Sequence, residues 1–334
     1  MNQKTFIVIT SINPPNRAMQ MFAHGIRQHG GHFLVIGDTK SPKYFQLEGA
    51  DYYSVERQIE TFNDFASLCP TRHYARKNIG YLIAIQQGAE VIVDTDDDNL
   101  PYDDFWEKRE LNQSARVYED AGWLNVYKLY SEANIWPRGL PLDEVLKPTP
   151  KLGHLPKINL KCPIQQGLAN DNPDVDAVYR LTLPLPQNFD TSDSLALQPG
   201  VWCPFNSQNT TWFPQAFPLL YLPAYCSFRM TDIWRSFVAQ RIAAVNGWPI
   251  LFHKATVWQE RNEHNLMRDF EDEVPGYLNN AKIRNMLEAL PLIPGVDAIS
   301  NNLRQCYQCL VSAGLIGEEE MPLLDAWLAI QKGP

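Results

Sequence analysis

Two hydrophobic rhythms alternate over the first hundred residues. The stretches TFIVIT (5–10), HFLVIGD (32–38) and EVIVD (90–94) are short, unbroken apolar runs rich in β-branched residues, the pattern of strands buried on both faces. Between them, residues 16–28 and 72–87 (RHYARKNIGYLIAIQQ) carry apolar positions at helical spacing, closed by Gly30-Gly31 and by Gly88. Repeated βα units predict an α/β fold with a doubly wound, mostly parallel sheet and right-handed crossovers. Ligands of such sheets bind beyond the carboxyl ends of the strands. Ser11, Asn13, Asp38 and the run Asp94-Thr95-Asp96-Asp97-Asp98 all fall at that edge.

Between residues 131 and 226 the rhythm breaks. Stretches such as WPRGLPLDEVLKPTP and CPFNSQNTTWFPQAFP keep no period. Long irregular regions in compact chains are usually functional loops or disorder. The Trp and Phe content argues for order, so this region is expected to form ordered loops over a cleft. TDIWRSFVAQRIAAV (231–245) returns to helical spacing, PILFHKATVWQ reads as strand and turn, and the tail from about 267 reads as helical with Pro-Gly breaks.

Composition narrows the function classes. With 45% hydrophobic and 11% aromatic residues in 334, the chain is not disordered. A net charge of −9 argues against a general binder of nucleic acid or anionic membranes. No apolar run approaches the ~18 residues of a membrane span, and MNQKTFIVITSINPP has no secretory core. Six scattered cysteines fit a reducing, cytoplasmic setting. Cys306-x-x-Cys309 reads as two thiols one helical turn apart rather than a zinc or redox motif.

The aspartates carry the sharpest chemistry. Asp96 and Asp98, two residues apart after a buried strand, point the same way and can share a hard cation. Crowded carboxylates become favourable when Mn²⁺ or Mg²⁺ bridges them to a diphosphate; the plain alternative is a solvated turn capped by Asp98. Arg72, Arg76 and Lys77 place cations in the first turns of a helix, against its dipole, as an anion site would require. Asp232, opening the 231–245 helix, is either an ordinary cap or a general base at the cleft. His253 is either a structural histidine or a completing metal ligand. Arg138, between two prolines, has no role fixed by spacing.

Taken in order, VIGDTKSP, ARKNIGYLIAIQQGAEVIVDTDDDN, WPRGLP, CPFNSQNTTW, FRMTDIW and LFHKA resemble the nucleotide-diphospho-sugar transferase (GT-A) fold. Within it they are most similar to the STELLO-like glycosyltransferases and to the reversibly glycosylated polypeptides, the UDP-arabinopyranose mutases of plants. VIGDTKSP is similar to the mutases' DGDPSK segment, FRMTDIW to GRYDDMW and LFHKA to YHSKA. The collinear series covers roughly residues 5–257, and IWPRG is nearer to STELLO. No counterpart of the membrane anchor of plant STELLO is expected here.

The resemblance implies a nucleotide-sugar-binding catalytic domain over residues 1–265 and a helical C-terminal segment over 266–334. It places Thr10, Ser11 and Asn13 near uracil, Asp38 at the base or ribose, and Lys77, beside Arg76, at the nucleotide phosphates. Asp96 and Asp98 would hold ribose and metal with His253 as the remaining ligand, and Asp232 would be the carboxylate nearest the sugar. Arg138 falls where the mutases carry their reversibly glycosylated arginine. Asn78 and Asn99 stand in place of family cysteines, and Asp232-Ile233 in place of an Asp pair.

The expected function is a Mn²⁺- or Mg²⁺-dependent glycosyltransferase using a UDP-linked sugar and an acceptor glycan, lipid or protein, with a homo-oligomer allowed. If the reaction inverts, Asp232 would take the acceptor proton, and loops around Trp136, Trp202 and Trp212 would cover the sugar. The rival readings are a nucleotide-sugar mutase with a sugar held transiently on Arg138, a non-catalytic scaffold of the same fold and, more remotely, a metal-dependent phosphohydrolase.

Overall fold

The computed structural model describes residues 4–189, 193–260 and 265–331. Its first half-sheet follows from the two rhythms. Strands β1 (Thr5–Thr10), β2 (His32–Ile36), β3 (Asp51–Tyr53) and β4 (Val91–Thr95) pair in parallel in the order β3-β2-β1-β4. Along β1 the side chains alternate between faces. Ile7 and Ile9 join Met19, Phe22 and Ile26 of the Arg17–His29 helix. Phe6 and Val8 join Ile79, Leu82 and Ile83 of the Lys77–Gln86 helix on the other face. Each such buried side chain contributes ~1.5–3 kcal/mol. Gly80 lets the second helix approach closely, because a Cβ there would lie 2.5 Å from Val8 Cγ1.

Beyond β4 the sheet mixes directions. The later strands are β5 (Asn99–Pro101), β6 (Asn112–Tyr118), β7 (Gly122–Trp123), β8 (Lys157–Lys161), β9 (Ile164–Asn170), β10 (Leu195–Leu197), β11 (Val201–Trp202), β12 (Asn209–Trp212) and β13 (Ile250–Gln259). The path continues β4-β12-β9-β13-β10-β6-β8, with β5 beside β13 and a separate β7–β11 pair. β12 runs antiparallel to β4 and β9, and β9 parallel to β13.

Here the structure departs from the expectation of loops over a cleft. The region 131–226 supplies β9 and β12 at the middle of the sheet. These strands carry Gln165, Gln166, Asn209, Thr210 and Thr211, all buried, so hydropathy hides them. Their polar groups bond one another instead: Thr210 Oγ1 donates to Gln166 Oε1 at 2.9 Å, and Asn209 Nδ2 to Thr256 Oγ1 at 3.0 Å. Satisfied in this way, buried polar side chains avoid the desolvation penalty that would exclude them from a core.

The C-terminal helices Leu266–Glu288, Ile299–Ser312 and Glu320–Gln331 pack into the same core. Ile283, Leu287, Leu303, Tyr307 and Trp327 share one cluster with Trp212 and Phe237. Buried Glu320 accepts from the Tyr221 hydroxyl and from the Ala224 and Tyr225 N–H groups at 2.9 and 2.8 Å. No helix among the described residues is long and apolar enough to cross a membrane.

Candidate functional site

At the carboxyl ends of β1, β2 and β4 two cavities, of about 460 and 270 Å³, adjoin across a shared wall of Thr10, Tyr74, Asp97 and Phe228. The larger is lined by Ser11, Asn13, Asp38, Lys40, Arg72 and His73. Asp38 accepts the His73 N–H at 3.0 Å and the Thr39 N–H at 2.6 Å. Ser41 Oγ accepts from Asp38 N and donates to Ser11 O, tying the ends of β1 and β2 together. Arg72 takes a left-handed backbone (φ 58°), a conformation non-glycine residues adopt mainly where surroundings enforce it.

An aromatic group forms the wall between the cavities. The rings of His73 and Tyr74 are near-parallel at 5.7 Å, and Phe228 meets both edge-on at 5.2 and 5.1 Å. Burial lowers His73 to about 4, so it is neutral, with Nδ1 accepting from Ala75 N. Phe228 is 45% exposed, an apolar surface turned to the cleft. Spacing did not single out any of these rings, because no period marks a loop wall.

The acidic run divides its duties. Asp94 points inward, fully buried, pairing with Lys77 Nζ and Arg235 NH1, each at 2.9 Å. Asp96 lines the smaller cavity and accepts from Lys77 Nζ at 2.9 Å. Asp97, overlooked in the sequence, accepts from Ser11 Oγ at 2.5 Å and Asn13 Nδ2 at 3.0 Å. Ser11 and Asn13 therefore line the cleft while anchoring the acidic loop. Asp98 also lines the smaller cavity and accepts from Gln259 Nε2 at 3.0 Å.

Two expected phosphate cations are engaged by the protein itself, although Arg76 is among the residues lining the larger cavity. The Arg76 guanidinium turns into the protein, donating to Gln58 Oε1 and to the Cys69 carbonyl, both at 2.8 Å. Lys77, fully buried, spends its ammonium on Asp94, Asp96 and the Thr95 carbonyl. A buried cation next to buried carboxylates is held by them, which sets the direction of both side chains.

Asp96 is the most perturbed member of the run. Burial pushes it up to about 7 against the pull of Lys77, with Asp98 adding to the rise. The shift favours the protonated carboxyl, although 39% of the Asp96 side chain is accessible from the cavity. Among the described residues no three His, Cys, Asp or Glu side chains surround a single point. Two carboxylates on one cavity nevertheless fit Mg²⁺ or Mn²⁺, which commonly binds through one or two carboxylates with water and phosphate oxygens completing the shell.

Opposite this run, Arg138 sits between two carboxylates. Its Nε and one NH2 hydrogen meet Asp174 at 2.8 and 2.9 Å; NH1 and NH2 meet Asp232 at 3.0 and 2.8 Å. NH1 also donates to the Arg229 carbonyl, so all five donors are used. Burial opposes its charge, but Asp174 and Asp232 outweigh that and hold Arg138 well above its ordinary value. Asp232 further accepts the Tyr74 hydroxyl at 3.1 Å and the Ser207 N–H at 3.2 Å. Burial would raise its pKa, but Arg138 overrides this and holds it below the usual carboxylate range. A carboxylate so stabilised is a weak proton acceptor; to act as the expected general base, Asp232 would first have to loosen its pairing with Arg138.

His253 stands apart from the acidic run. It lies six residues back along β13 from Gln259, on the far side of an irregularity in the pairing of β13 with β9, and lines neither cavity. Its ring packs against Gly167, where a Cβ would meet Cε1 at 2.7 Å. Burial, reinforced by Arg109, lowers it to about 4. It is a half-buried histidine of the sheet, and the structure does not bring it together with the acidic run as the expected third metal ligand. Trp136, Trp202 and Trp212 are core residues, at most 5% exposed; the aromatic side chains that line both cavities are Tyr74 and Phe228.

Comparison with known proteins agrees with this architecture. Residues 229–332, from Arg229 through the C-terminal helices, match the family model of the STELLO glycosyltransferases. The chain is 30% identical over 283 residues to probable glycosyltransferase STELLO2 of Arabidopsis thaliana, covering 79% of this chain and 37% of that protein. It is 30% identical over 256 residues to probable glycosyltransferase STELLO1 of the same plant, covering 71% and 33%. The chain thus spans about a third of the length of the curated relatives it matches. With its large sheet and helical C-terminal region, the α/β fold is GT-A-like.

Proposed function

Proceeding from the premise that this chain is STELLO-like, we propose that it is a divalent-metal-dependent glycosyltransferase with a UDP-linked sugar as donor. The observation that carries the reading is the meeting of two cavities at the acidic run. The larger, between Asp38 and Asn13, suits a base and ribose, and the smaller suits the diphosphate and sugar. Asp96 and Asp98 would hold Mn²⁺ or Mg²⁺ from the protein side. When bound, the cation supplies charge neutralisation for a diphosphate leaving group.

The chain's own groups have distinct tasks in this reading. Ser11 and Asn13 fix Asp97 and with it the pitch of the acidic loop. Tyr74 and Phe228 cover the junction of nucleoside and sugar, excluding water that would hydrolyse the donor. The Arg138 pair network is the rigid floor against which the sugar is oriented, while an acceptor hydroxyl of a glycan, lipid or protein enters the smaller cavity. A covalent sugar on Arg138 would need a neutral guanidine with a spare N–H. Arg138 has neither, which favours direct transfer over a mutase cycle.

The test is mass spectrometry with Mn²⁺ and a panel of nucleotide sugars, sprayed native and denatured, alongside release of nucleoside diphosphate. Expected are a native complex with a UDP-sugar, no adduct after denaturation, and loss of turnover by at least ~100-fold in Asp96→Asn plus Asp98→Asn with the fold retained. A sugar that survives denaturation, or nucleotide-sugar binding indifferent to both substitutions, would refute the proposal.

A further inference from the structure

Arg76 lines only the larger cavity, and Lys77 spends its ammonium on Asp94, Asp96 and the Thr95 carbonyl, so neither offers a donor in the smaller one. Arg229 lies on the short turn Phe228–Met230, directly after the aromatic wall, and lines the smaller cavity but not the larger. Its side chain is 15% accessible. Buried Glu273, on the long Leu266–Glu288 helix, takes both Nε (3.0 Å) and NH2 (2.9 Å) on a single oxygen, Oε1. The other oxygen, Oε2, accepts the Ala177 N–H at 2.7 Å and the Tyr277 hydroxyl at 2.6 Å. Four donors thus fix a carboxylate with no access to solvent, and that carboxylate fixes one edge of the guanidinium. The remaining edge, NH1, meets no protein acceptor among the described residues. The Arg229 carbonyl accepts from Arg138 NH1, which pins the backbone of the same turn to the cavity floor.

We propose that Arg229 is a diphosphate-binding residue, its NH1 edge donating to the distal phosphate oxygens of the donor, and that Glu273 is the residue that positions it. This rests on the nucleotide-sugar reading given above. Arginine suits the task because its planar fork can commit one edge to Glu273 and offer the other to an anion. The distal phosphate is indicated because Arg229 shares its cavity with Asp96 and Asp98, whereas Lys40 and Arg72 line the nucleoside half. A guanidinium clamped before the ligand arrives loses little entropy on binding and needs no reorganisation as charge develops on the leaving group. The arrangement also gives the C-terminal helical segment a task at the site, since Glu273 belongs to it.

Calorimetry with UDP and with UMP, each with Mn²⁺, tests this on the full chain. Arg229→Ala should weaken UDP binding roughly 10–100-fold, the range for losing a hydrogen bond to a charged group, and leave UMP within about twofold. Arg229→Lys, with charge but no second edge, should recover part of the loss. Glu273→Gln should reproduce the selective loss for UDP. Should that variant fail to fold, the two Arg229 variants decide alone. UDP binding equal in wild type and Arg229→Ala would overturn the inference while leaving the nucleotide-sugar reading intact. So would a loss seen for a UDP-sugar but not for UDP, which would move Arg229 to the sugar. No UDP binding by the wild type would overturn both together.

Discussion

Lys77, Asp94 and Arg235 form one ion-pair network behind the acidic loop, with side chains 0–1% exposed. Arg138, Asp174 and Asp232 form another on the cavity wall, 6–12% exposed. Both use the same residue types at the same distances. In the first, every charge faces another charge, and the network meets the cleft through Asp96, which Lys77 also holds. In the second, the carboxylates grip an arginine whose donors are exhausted, so the network offers a fixed surface rather than a reactive group. The difference teaches that pairing, more than residue type, decides whether a charge near a cleft can act on a ligand. It also sets Arg229, which lines the smaller cavity with one edge of its guanidinium uncommitted, apart from Lys77, whose ammonium is spent on carboxylates and a carbonyl, and from Arg76, whose one unpartnered nitrogen, NH2, is buried beside the larger cavity.

The comparison can be broken most sharply at Lys77. Lys77→Met leaves Asp94 with Arg235 alone and Asp96 without its cation. Removing one partner of a buried pair costs ~3–5 kcal/mol, so denaturant melts should show a loss of that order. A variant that melts like the wild type but no longer binds nucleotide would instead put Lys77 at the donor, as the resemblance implied.

A smaller effect is expected on the wall. Asp174→Asn removes one charged acceptor from Arg138 but keeps an amide oxygen, for a cost of ~1.5–3 kcal/mol. Denaturation should report that loss, with Asp232 still holding the guanidinium. A loss as large as that of Lys77→Met would make the two networks equivalent and remove the distinction drawn above.

Acidity separates the carboxylates near this wall by sign. Asp176 caps the Ala177–Thr182 helix and accepts from Trp136 Nε1; burial pushes it up to about 6. Its folded value lies above the ~3.9 of an unfolded aspartate. The folded state therefore binds the proton more tightly, and stability should rise by ~2–3 kcal/mol from this group as pH falls from above 6 to below 4. Asp232, held below the usual range, acts the other way: its contribution is complete above the unfolded value and is lost as pH falls further. Melts of wild type and Asp176→Asn between pH 7 and 4 should converge in slope only if Asp176 does not titrate in that window.

The smallest expected change is at His253. His253→Asn should leave the Mn²⁺ dependence of nucleotide binding within about twofold of wild type, because its ring faces Gly167 and not the acidic run. A marked rise in the metal concentration required would restore the histidine to the site.

The alternation of buried strands and amphipathic helices over the first hundred residues determined the parallel half-sheet and the edge at which polar groups converge. Physics leaves little freedom there: continuous β-branched runs need cover on both faces, and ligands collect at the carboxyl ends of the strands. The same pattern placed Ser11, Asn13, Asp38, Asp96 and Asp98 at one cleft. It did not reach β9 and β12, whose buried Gln, Asn and Thr side chains become tolerable only when strands distant in sequence satisfy them. Nor did it fix the direction of any long charged side chain. Arg76 turns inward because Gln58 and two backbone carbonyls wait there, Asp232 is paired by Arg138 from 94 residues away, and Arg229 is oriented by Glu273 from 44. Such partners meet only once the chain has folded, because a charge's availability depends on the burial and geometry of its neighbours, which local sequence does not encode.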